Sequence, residues 1–522
     1  ELQEPDPARR TTDGDIALIR LEEKEHPLTK VLKEQNLPLI ASRIRPARFD
    51  EGSAPDSTLG VWQLVLSSTA AWGETDLVLR PVKFDLDRDQ AGAVCVVAAA
   101  ERADVGQDEG ALGHVDAAVE GDLILIAPGT YNEAVQVTTN NIIIRGLDRN
   151  TVILDGNFEL DNGIRVVGAN GVALENMTAM NYTKNGFFWT GVTGFRGDYL
   201  TAWRNGDYGV YVFDSVGGVI DHSYGAGSPD AGVYVGQCYP CDTLITNFTA
   251  EFNGLGYSGT NSGGNMVIVN SIFRNNRAGV VPNSGSYELC YPERKTTIIG
   301  NLVYNNNQPD TPAIDVALLA MGNGILNAGG VQNIIERNRV WNHNKTGIGL
   351  VPFLEEDASD VMPEKSAWEM TCEESKNLMP VQPEGPLLWD SQENTVRGNV
   401  LEDNRRADIA VASAGSDLWT LANCFEGNTF TTSAPLDLET LAPCGTPLSK
   451  DTGDWTAGDL NVITWLIDAE TAPPSVDWKT ANLPAIPVLD SMPDAATAPG
   501  VPASATPPAI DLDAITVPDK ID

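Results

Sequence analysis

Positive charge is scarce in this sequence. Lysine and arginine number 34 against 72 aspartates and glutamates, so the 522 residues carry a formal net charge of −38. Such acidity repels phosphate backbones and anionic lipid headgroups, which argues against a nucleic-acid partner bound by bulk attraction. No apolar run approaches the ~18 residues that a membrane-spanning helix needs. We therefore expect no nucleic-acid partner and no membrane span.

Histidine, methionine and cysteine are also few. Four histidines and eight methionines offer no evident ligand set for copper, and fingerprints of serine triads, phosphate loops and dinucleotide sites are not apparent. Seven cysteines in a long chain fit an exported protein with a few disulfides and one cysteine left over. The chain begins at Glu1 without a methionine, as after removal of a leader or trimming. We expect a secreted or cell-surface location.

What the sequence does contain is an internal repeat with a period of about 23 residues, within the range typical of solenoid proteins. A glycine recurs in contexts such as "DNGIRVV" and "DYGVYVF", at Gly163, Gly186, Gly209, Gly232, Gly256, Gly279, Gly324 and Gly347. A second landmark follows each glycine by roughly a dozen residues, namely Asn176, Asn247, Asn270, Asn301, Asn338 and Asn399, with Tyr199 and His222 in two repeats. We interpret His222 as a core imidazole rather than a ligand.

Each repeat is typical of short strands with alternating apolar residues, separated by Gly/Asn turns. Three strands and three turns fit in about 23 residues, whereas a propeller blade needs nearly twice that length. The pattern predicts an all-β fold, a right-handed parallel β-helix built as a three-sheet solenoid with rungs ~4.8 Å apart. Stacked asparagines are expected to bond to one another along its axis.

One stretch adds a family resemblance. "GDLILIAPGTYNEAVQVTTNNIIIRGLDRNTVILDG", Gly121 to Gly156, resembles the first rungs of secreted right-handed β-helix repeat proteins. These include the pectin-lyase-like superfamily and the related periplasmic copper-site-maturation type. The resemblance spans roughly Cys95 to Asn428 and implies the fold. It does not define the chemistry, because the superfamily contains lyases, hydrolases, epimerases and proteins without known activity.

The repeat divides the chain. We expect an N-terminal cap or small module over 1–90, with a charged helix at Ile16–Gln35 and strands within 60–68 and 76–87. The coil then covers 91–430, a C-terminal cap 431–471 and a Pro/Ala-rich extended tail 472–522, which would lie on its own coil or a neighbouring subunit. Residues in excess of the repeat predict corner insertions near 284–296, 308–320 and 352–393.

The stretch "GVYVGQCYPCD" places Cys238 and Cys241 at the corner where two of these insertions leave the coil. The insertions carry Cys290 and Cys372. A thioredoxin-like centre needs a helix N-terminus to stabilise a thiolate, and a β-helix corner offers none. A four-thiolate zinc site stays open as an alternative. Our prediction is structural disulfides with the pairing left open, which involve Cys238, Cys241, Cys290 and Cys372, and Cys424 and Cys444 at the last rung.

The strand after each repeat glycine has two faces. The first residue is apolar and predicted to point inward, as in Ile164, Phe187, Val210, Val233, Tyr257 and Val280. The second is predicted to point outward on consecutive rungs, as in Arg165, Phe188, Tyr211 and Tyr234. Exposed stacked rings would form a platform for sugar rings. The alternative is ordinary packing against an insertion or the tail.

Charged residues precede the glycines by two positions, at Asp161, Lys184, Asp207, Asp230 and Arg277. Asp207 and Asp230 on adjacent rungs would form a close carboxylate pair with one raised pKa, at a spacing like that of double-displacement glycosidases. Lys184 or Arg277 would neutralise a uronate carboxylate or assist proton removal beside it. The alternative is a column of polar turn residues that cap the backbone.

A second acidic column, Glu175, Asp198 and Asp221, precedes the asparagine landmark. Three stacked carboxylates repel one another unless a cation or solvent screens them, so the column is a candidate calcium site. Solvated surface acids are the alternative. Calcium is the cofactor that this column suggests.

Together these features favour a secreted protein that engages an extracellular polysaccharide, as a hydrolase, lyase or epimerase-like enzyme. Phe188, Tyr211 and Tyr234 would stack on sugars, Asp207 and Asp230 would exchange protons, and Lys184, Arg165 and Arg277 would bind charge. The competing hypothesis is a non-catalytic structural or cell-surface protein that self-associates when residues 472–522 dock on a neighbour.

Overall fold

A computed structural model describes residues 17–19, 64–66, 94–97, 115, 117–413, 415–458 and 471–521. Successive short strands coil around one interior, and each strand pairs in parallel with its equivalent one turn away. The result is three long sheets, named sheets 1, 2 and 3 in the order in which the chain visits them. The predicted three-sheet parallel β-helix is confirmed.

The strands of each sheet, within the described residues, follow one another along the coil axis. Sheet 1 contains Val94–Val97, Leu123–Ile126, Ile143–Gly146, Val172–Glu175, Thr193–Asp198, Val216–Asp221, Thr243–Thr246, Gly263–Val269, Arg294–Ile299, Ile334–Glu336, Thr395–Arg397 and Cys424–Glu426. Sheet 2 contains Gly129–Tyr131, Val152–Asp155, Thr178–Met180, Thr201–Trp203, Tyr224–Ala226, Thr249–Glu251, Ile272–Arg274, Leu302–Tyr304, Arg339–Trp341 and Val400–Glu402. Sheet 3 contains Val135–Val137, Ile164–Val167, Phe187–Thr190, Val210–Phe213, Ala231–Gly236, Leu255–Thr260, Ala278–Asn283, Ile325–Ala328, Thr346–Val351, Ala407–Val411 and Ser433–Ala434.

The interior is filled by the inward residues of each strand. Those predicted from the first position after the repeat glycine, Ile164, Phe187, Val210, Val233, Tyr257 and Val280, are all fully buried. Phe187 pairs with Ile164 on one side and Val210 on the other, at steps of one repeat. Side chains far apart in sequence therefore stack along the axis, and their burial removes a continuous apolar column from water.

The repeat glycines are needed where coils approach most closely. A Cβ on Gly163 would lie 2.5 Å from the carbonyl oxygen of Gly186, and one on Gly186 would lie 2.7 Å from that of Gly209. A backbone carbonyl cannot move away without breaking the adjacent strand pairing. Any larger residue there would separate successive rungs.

The asparagine landmark divides into two positions at the corner between sheets 1 and 2. Asn176, Tyr199, His222, Asn247 and Asn270 have φ between 42° and 58°, the left-handed region that reverses the chain. Asn301, Asn338 and Asn399 come one residue later and point inward, where Asn301 Nδ2 donates to Asn338 Oδ1 and Asn338 Nδ2 to Asn399 Oδ1, both at 3.0 Å. The predicted axial asparagine contacts therefore exist, but only the second group makes this continuous ladder.

A second buried ladder of polar side chains, at the corner between sheets 2 and 3, includes a histidine. Asn276 Nδ2 donates to Asn306 Oδ1, and Asn306 Nδ2 lies 3.1 Å from His343 Nε2. His343 Nδ1 lies 2.8 Å from Asn404 Oδ1, so both ring nitrogens are used when the neutral imidazole carries its proton on Nδ1. Burial lowers the pKa of His343 to about 4.

Irregular segments interrupt the coil between its strands. The one near 308–320 joins sheet 2 to sheet 3 and contains the helix Asp315–Ala320. The largest, 352–393, contains the antiparallel strands Phe353–Glu355 and Leu387–Trp389, a 3₁₀ turn Lys365–Ala367 and the helix Cys372–Ser375. Further short helices are Leu418–Leu421, Leu438–Leu441, Lys450–Thr452 and Leu512–Ala514.

Near the chain ends, Leu438, Leu441, Ala442 and Trp455 pack onto the buried core at its C-terminal end. In the N-terminal region, Ala17–Ile19 pairs antiparallel with Leu64–Leu66. The predicted helix over Ile16–Gln35 is therefore wrong at Ala17–Ile19, where a partner strand far along the chain decides the conformation. The rest of that helix and the predicted strand within 76–87 lie outside the described residues.

None of the helices in the described part of the chain has the length and apolar character required to cross a membrane.

Candidate functional site

The outward face of sheet 3 carries a column of aromatic side chains. Arg165, Phe188, Tyr211 and Tyr234 face one another directly across successive strand pairs, as predicted from the repeat. The rings of Phe188 and Tyr211 are stacked with centroids 4.8 Å apart, and those of Tyr211 and Tyr234 are tilted at 4.9 Å. The column is continuous because each rung adds one residue at the ~4.8 Å strand spacing.

Exposure differs along this column. Phe188 and Tyr211 are partly exposed, whereas Tyr234 is only 1% exposed. The prediction that Tyr234 is an exposed stacking residue is wrong, because the insertion near 284–296 lies over it and its hydroxyl donates a 2.6 Å hydrogen bond to Glu288 Oε2. Tyr234 therefore supports the surface on which Phe188 and Tyr211 are presented.

Tyr208 enlarges the aromatic surface and was not predicted. Its ring is stacked on Tyr211 at 4.3 Å with an interplanar angle of 6°, and it also contacts Tyr234 at 5.0 Å. Burial raises the pKa of Tyr208 well above its ordinary value, so the hydroxyl keeps its proton. Tyr208 lies immediately before the repeat glycine Gly209, where most other repeats have small or polar residues. This difference in the sequence could have identified it as a residue of the site.

Asp207 and Asp230 lie beside these rings on consecutive turns. The backbone N–H of Asp230 donates to the carbonyl of Asp207 at 3.1 Å, and Lys184 Nζ lies 3.1 Å from Asp207 Oδ2. The pKa of Asp230 is raised to about 7 by burial, with a smaller contribution from the charge of Asp207, while a hydrogen bond with Tyr208 opposes the increase. Asp230 is therefore divided between its two protonation states near neutral pH.

Glu288 is a third carboxyl group at this site and was not predicted. Burial raises its pKa to about 8, with an added contribution from Asp230, while the hydrogen bond from Tyr234 lowers it. Glu288 reaches the column from an insertion without repeat periodicity, so register reasoning could not place it. Two carboxyl groups with near-neutral pKa values thus meet a partly exposed aromatic surface, an arrangement typical of functional sites.

Two arginines predicted to bind charge behave differently. The guanidinium of Arg165 lies 6.0 Å from the Phe188 ring centroid, and its buried Nε has no hydrogen-bond partner among the described residues. Arg277 is fully buried, and its guanidinium donates to the carbonyls of Pro309, Thr311 and Pro473. The prediction of Arg277 as a substrate ligand is wrong, because the insertion near 308–320 and the tail enclose it.

The corner that borders this surface is held by cysteines. Cys238 is bonded to Cys241, and Cys290 to Cys372, with a Cα–Cα distance of 4.8 Å in each pair. The N–H of Cys372 also donates to the carbonyl of Tyr239 at 2.7 Å. Cys424 is bonded to Cys444 near the last rung. The predicted disulfides are confirmed, and Cys290–Cys372 joins the two insertions to each other only two residues after Glu288.

The three carboxylates of the acidic column in sheet 1 have different partners. Glu175, Asp198 and Asp221 are in register, but Glu175 is 2% exposed and pairs with Arg145 at 2.6 Å and Arg196 at 2.5 Å. The prediction of Glu175 as a metal ligand is wrong, because two guanidinium groups already neutralise its carboxylate.

Asp198 and Asp221 instead meet His222. One ligand atom from each of the three residues lies within 4.8 Å of the others. His222 is 45% exposed and stacked on Tyr199 at 4.7 Å, so the interpretation of its imidazole as a core group is wrong. Burial, followed by the charges of Asp221 and Glu175, raises the pKa of Asp198 to about 7. These residues lie at the ends of sheet 1 strands and at the corner that follows them, apart from the aromatic column of sheet 3.

The C-terminal tail covers the other two sheets. Leu483, Ile486 and Leu489 pack on Trp203 and Tyr224 of sheet 2. On sheet 1, Ile510, Leu512 and Ile515 pack on an apolar group formed by Val219, Leu244, Val267, Val269 and Ile299. Sheet 3 is bordered instead by the two disulfide-joined insertions, which leave Phe188 and Tyr211 partly exposed. The tail therefore covers parts of sheets 1 and 2, whereas the aromatic face of sheet 3 stays partly exposed.

A comparison with protein families agrees with this architecture. Residues 185–352 match a family model described as a right handed beta helix region. With the three sheets, this match identifies the fold as a right-handed parallel β-helix. No curated protein matches the sequence.

Similar solved structures include the A-module of mannuronan C-5 epimerase AlgE4 from Azotobacter vinelandii, at 13% identity and a TM-score of 0.39. That match covers 59% of this chain and 86% of the epimerase module. Another is an alginate lyase from Paenibacillus sp. str. FPU-7, at 14% identity and a TM-score of 0.33, with 62% of this chain and 92% of the lyase covered.

Proposed function

We propose that the outward face of sheet 3 binds a carbohydrate chain and catalyses proton transfer on it. The observation that carries the proposal is the contact between a partly exposed aromatic surface, Phe188 and Tyr211, and carboxyl groups that hold protons near neutral pH. Aromatic faces pack against the C–H faces of sugar rings, and adjacent carboxyl groups provide orientation and acid–base chemistry.

The two carboxyl groups have complementary roles in this proposal. With a pKa of about 8, Glu288 is mostly protonated at pH 7 and acts as the general acid. With a pKa of about 7, Asp230 is ionised in about half of the molecules at that pH and acts as the general base. Such a pair serves a hydrolase, a lyase or an epimerase, because each of these reactions requires one proton to be removed and another to be donated.

The cations beside the column favour an acidic sugar. Lys184 is exposed and reaches Asp207 at 3.1 Å, and Arg165 borders the Phe188 ring. The carboxylate of a uronate bound at Phe188 would be attracted by these cations. Their charge would also stabilise the negative charge that develops when a proton is removed next to that carboxylate.

The proposed setting is extracellular. Three disulfides occur among the described cysteines, and such bonds persist in oxidising compartments. A secreted or cell-surface protein would meet polysaccharides as part of its surroundings. The disulfide between the two insertions would also keep the border of the site in place there.

The test is a screen of neutral and uronate-containing polysaccharides for binding, release of reducing ends and formation of unsaturated uronate. Asp230→Asn and Glu288→Gln should each lower turnover by at least about 100-fold, the usual contribution of a general acid or base. Asp161→Asn is the matched control, since Asp161 is exposed in the same column two rungs before Asp207. Tyr211→Ser should weaken binding more than turnover of bound glycan.

Two results would contradict the proposal. One is the absence of binding to every polysaccharide in the screen. The other is turnover that survives in the double variant Asp230→Asn/Glu288→Gln at the level of Asp161→Asn.

A further inference from the structure

The C-terminal segment lies along the coil without joining its sheets. Residues 471–521, here called the strap, contain the short 3₁₀ turn Leu512–Ala514 as their one regular element among the described residues. The strap runs along sheet 2 toward the first rungs, where Arg145 binds the carbonyl of Ala498 at 2.7 Å. It then returns along sheet 1 to the last rungs, where Lys520 Nζ lies 2.7 Å from Glu402 Oε1.

The coil holds the strap chiefly through its main-chain carbonyls. Arg204 donates to the carbonyls of Lys479 and Ala481 at 2.8 and 2.9 Å, and Arg339 donates to that of Pro518 at 2.7 Å. The coil arginines that make contacts of this kind are Arg145, Arg149, Arg196, Arg204, Arg277, Arg337 and Arg339. Every residue has a carbonyl, so these contacts recognise an extended chain rather than particular side chains.

Apolar anchors supply the register. Leu483, Ile486 and Leu489 pack on the outer face of sheet 2. Val488, in the same stretch, is 90% exposed and contributes nothing to that contact. The surface of the coil that contacts the strap therefore alternates apolar patches with arginines. Such a surface can bind an extended, proline-rich polypeptide.

We propose that this surface also binds the strap of a second copy of the chain. The strap adds no strand to any sheet in the described part of the chain. Its covalent connection to the coil runs through residues 459–470. A second copy carries the same carbonyls and anchors, so every contact made within one chain can be made between two, as in domain swapping. The inference is independent of the proposed chemistry on sheet 3.

The experiment uses the full chain with a protease site inserted between Gly458 and Thr471. One preparation carries an affinity tag before Glu1, and the other carries a fluorophore on Asp522. Both are cut, mixed at equal concentration, warmed, cooled and captured through the tag. We expect the labelled strap to occupy about half of the captured coils, since the two strap pools are identical. Uncut tagged chains should capture at least about tenfold less label, because a tethered strap has a millimolar effective concentration.

Matched variants test which contacts hold the strap. The triple variant Leu483→Ser/Ile486→Ser/Leu489→Ser should lose at least tenfold of the captured label, whereas Val488→Ser should keep it. Arg204→Ala should weaken capture, whereas Arg397→Ala, a half-exposed arginine paired with Glu336, should not. Circular dichroism of the uncut variants checks that their coils stay folded.

Three outcomes would overturn the proposal. The cut strap separates from its coil on gel filtration and none is captured; or the strap stays on its own coil and never transfers; or Val488→Ser loses as much label as the triple variant.

Discussion

The hydroxyl of Tyr234 donates a 2.6 Å hydrogen bond to Oε2 of Glu288, which joins a strand of sheet 3 to an insertion 54 residues further along the chain. This bond lowers the pKa of Glu288, although burial has the larger effect and raises it to about 8. The buried ring of Tyr234 thus tunes the acid that the insertion places over the aromatic column.

Tyr234→Phe should raise the pKa of Glu288 above 8. Loss of a hydrogen bond to a charged group costs about 1.5–3 kcal/mol, which corresponds to an upward shift of about one to two pKa units. The measurement is isotope-edited infrared titration of protein labelled at its glutamate carboxyls, with Glu288→Gln to assign the band. Tyr239→Phe is the control, because the Tyr239 hydroxyl faces Glu369 instead. A midpoint for Tyr234→Phe equal to or below that of the parent protein would contradict the assignment.

Sequence periodicity was sufficient to predict the column itself. The constant step of the repeat determines which side chains stack, so Phe188, Tyr211 and Tyr234 could be placed in register. The burial of Tyr234 and the presence of Glu288 could not be foreseen, because both depend on the path of an insertion without a repeat. The path of such a loop is decided by tertiary contacts and by the Cys290–Cys372 disulfide.

The errors at Glu175 and Arg277 have related causes. Arg145 lies directly across from Glu175, but the step between them along the chain is longer than the repeat and is not described by it. Arg277 is enclosed by an insertion and by a tail segment 196 residues later in the chain. In both cases the decisive partner lies at a sequence distance that differs from the 23-residue repeat, so the repeat could not identify it.

His343→Asn should make the protein less sensitive to acid. The pKa of His343 is about 4 in the folded chain against an ordinary 6.5. Between these values the unfolded state binds a proton that the folded state does not, so the unfolding free energy falls as pH drops below 6.5 and levels off below about 4. The loss attributable to His343 between pH 7.5 and pH 5 is on the order of 2 kcal/mol.

An asparagine at position 343 can bond to Asn306 and Asn404 as its ladder neighbours do, without a titrating group. Urea denaturation at the two pH values measures the effect as the difference between the variant and the parent protein. His222→Asn makes the same chemical change at an exposed corner and is the control. If His343→Asn loses as much stability as the parent protein between the two pH values, the buried neutral imidazole is not responsible.

Removal of the inter-insertion disulfide should cost more stability than removal of the local one. Cys290 and Cys372 are 82 residues apart, whereas Cys238 and Cys241 are three apart. The chain-entropy model gives about 4.5 kcal/mol for the long closure and less than about 2 kcal/mol for the short one. Double serine variants of each pair, compared by urea denaturation, measure the difference.

The same variants report on the site. Glu288 lies two residues before Cys290, so Cys290→Ser/Cys372→Ser should also broaden the Glu288 titration and speed proteolysis within 352–393. The Cys238→Ser/Cys241→Ser variant should leave both readouts nearly as they are. Equal loss of stability in the two double variants would show that the long bond does not tether the insertions.

Gly236→Ala should displace the Tyr234 side chain and thereby weaken its hydrogen bond to Glu288. Gly236 lies two residues after Tyr234 on the same face of the strand, and a Cβ there would overlap the Tyr234 hydroxyl and ring. Overpacking of this kind costs about 1–3 kcal/mol, and it should shift the Glu288 pKa upward as Tyr234→Phe does. Gly385→Ala, in open space on the 352–393 insertion, is the control.

A double-mutant cycle separates displacement of the ring from a general loss of stability. Phenylalanine lacks the hydroxyl that the new methyl group meets first, so Gly236→Ala/Tyr234→Phe should be less destabilised than the sum of the single variants. Contacting residues show coupling of about 0.5–3 kcal/mol, whereas independent sites add to within about 0.5 kcal/mol. Strict additivity in urea denaturation, with an unshifted Glu288 titration in Gly236→Ala, would mean that Gly236 does not make room for the tyrosine.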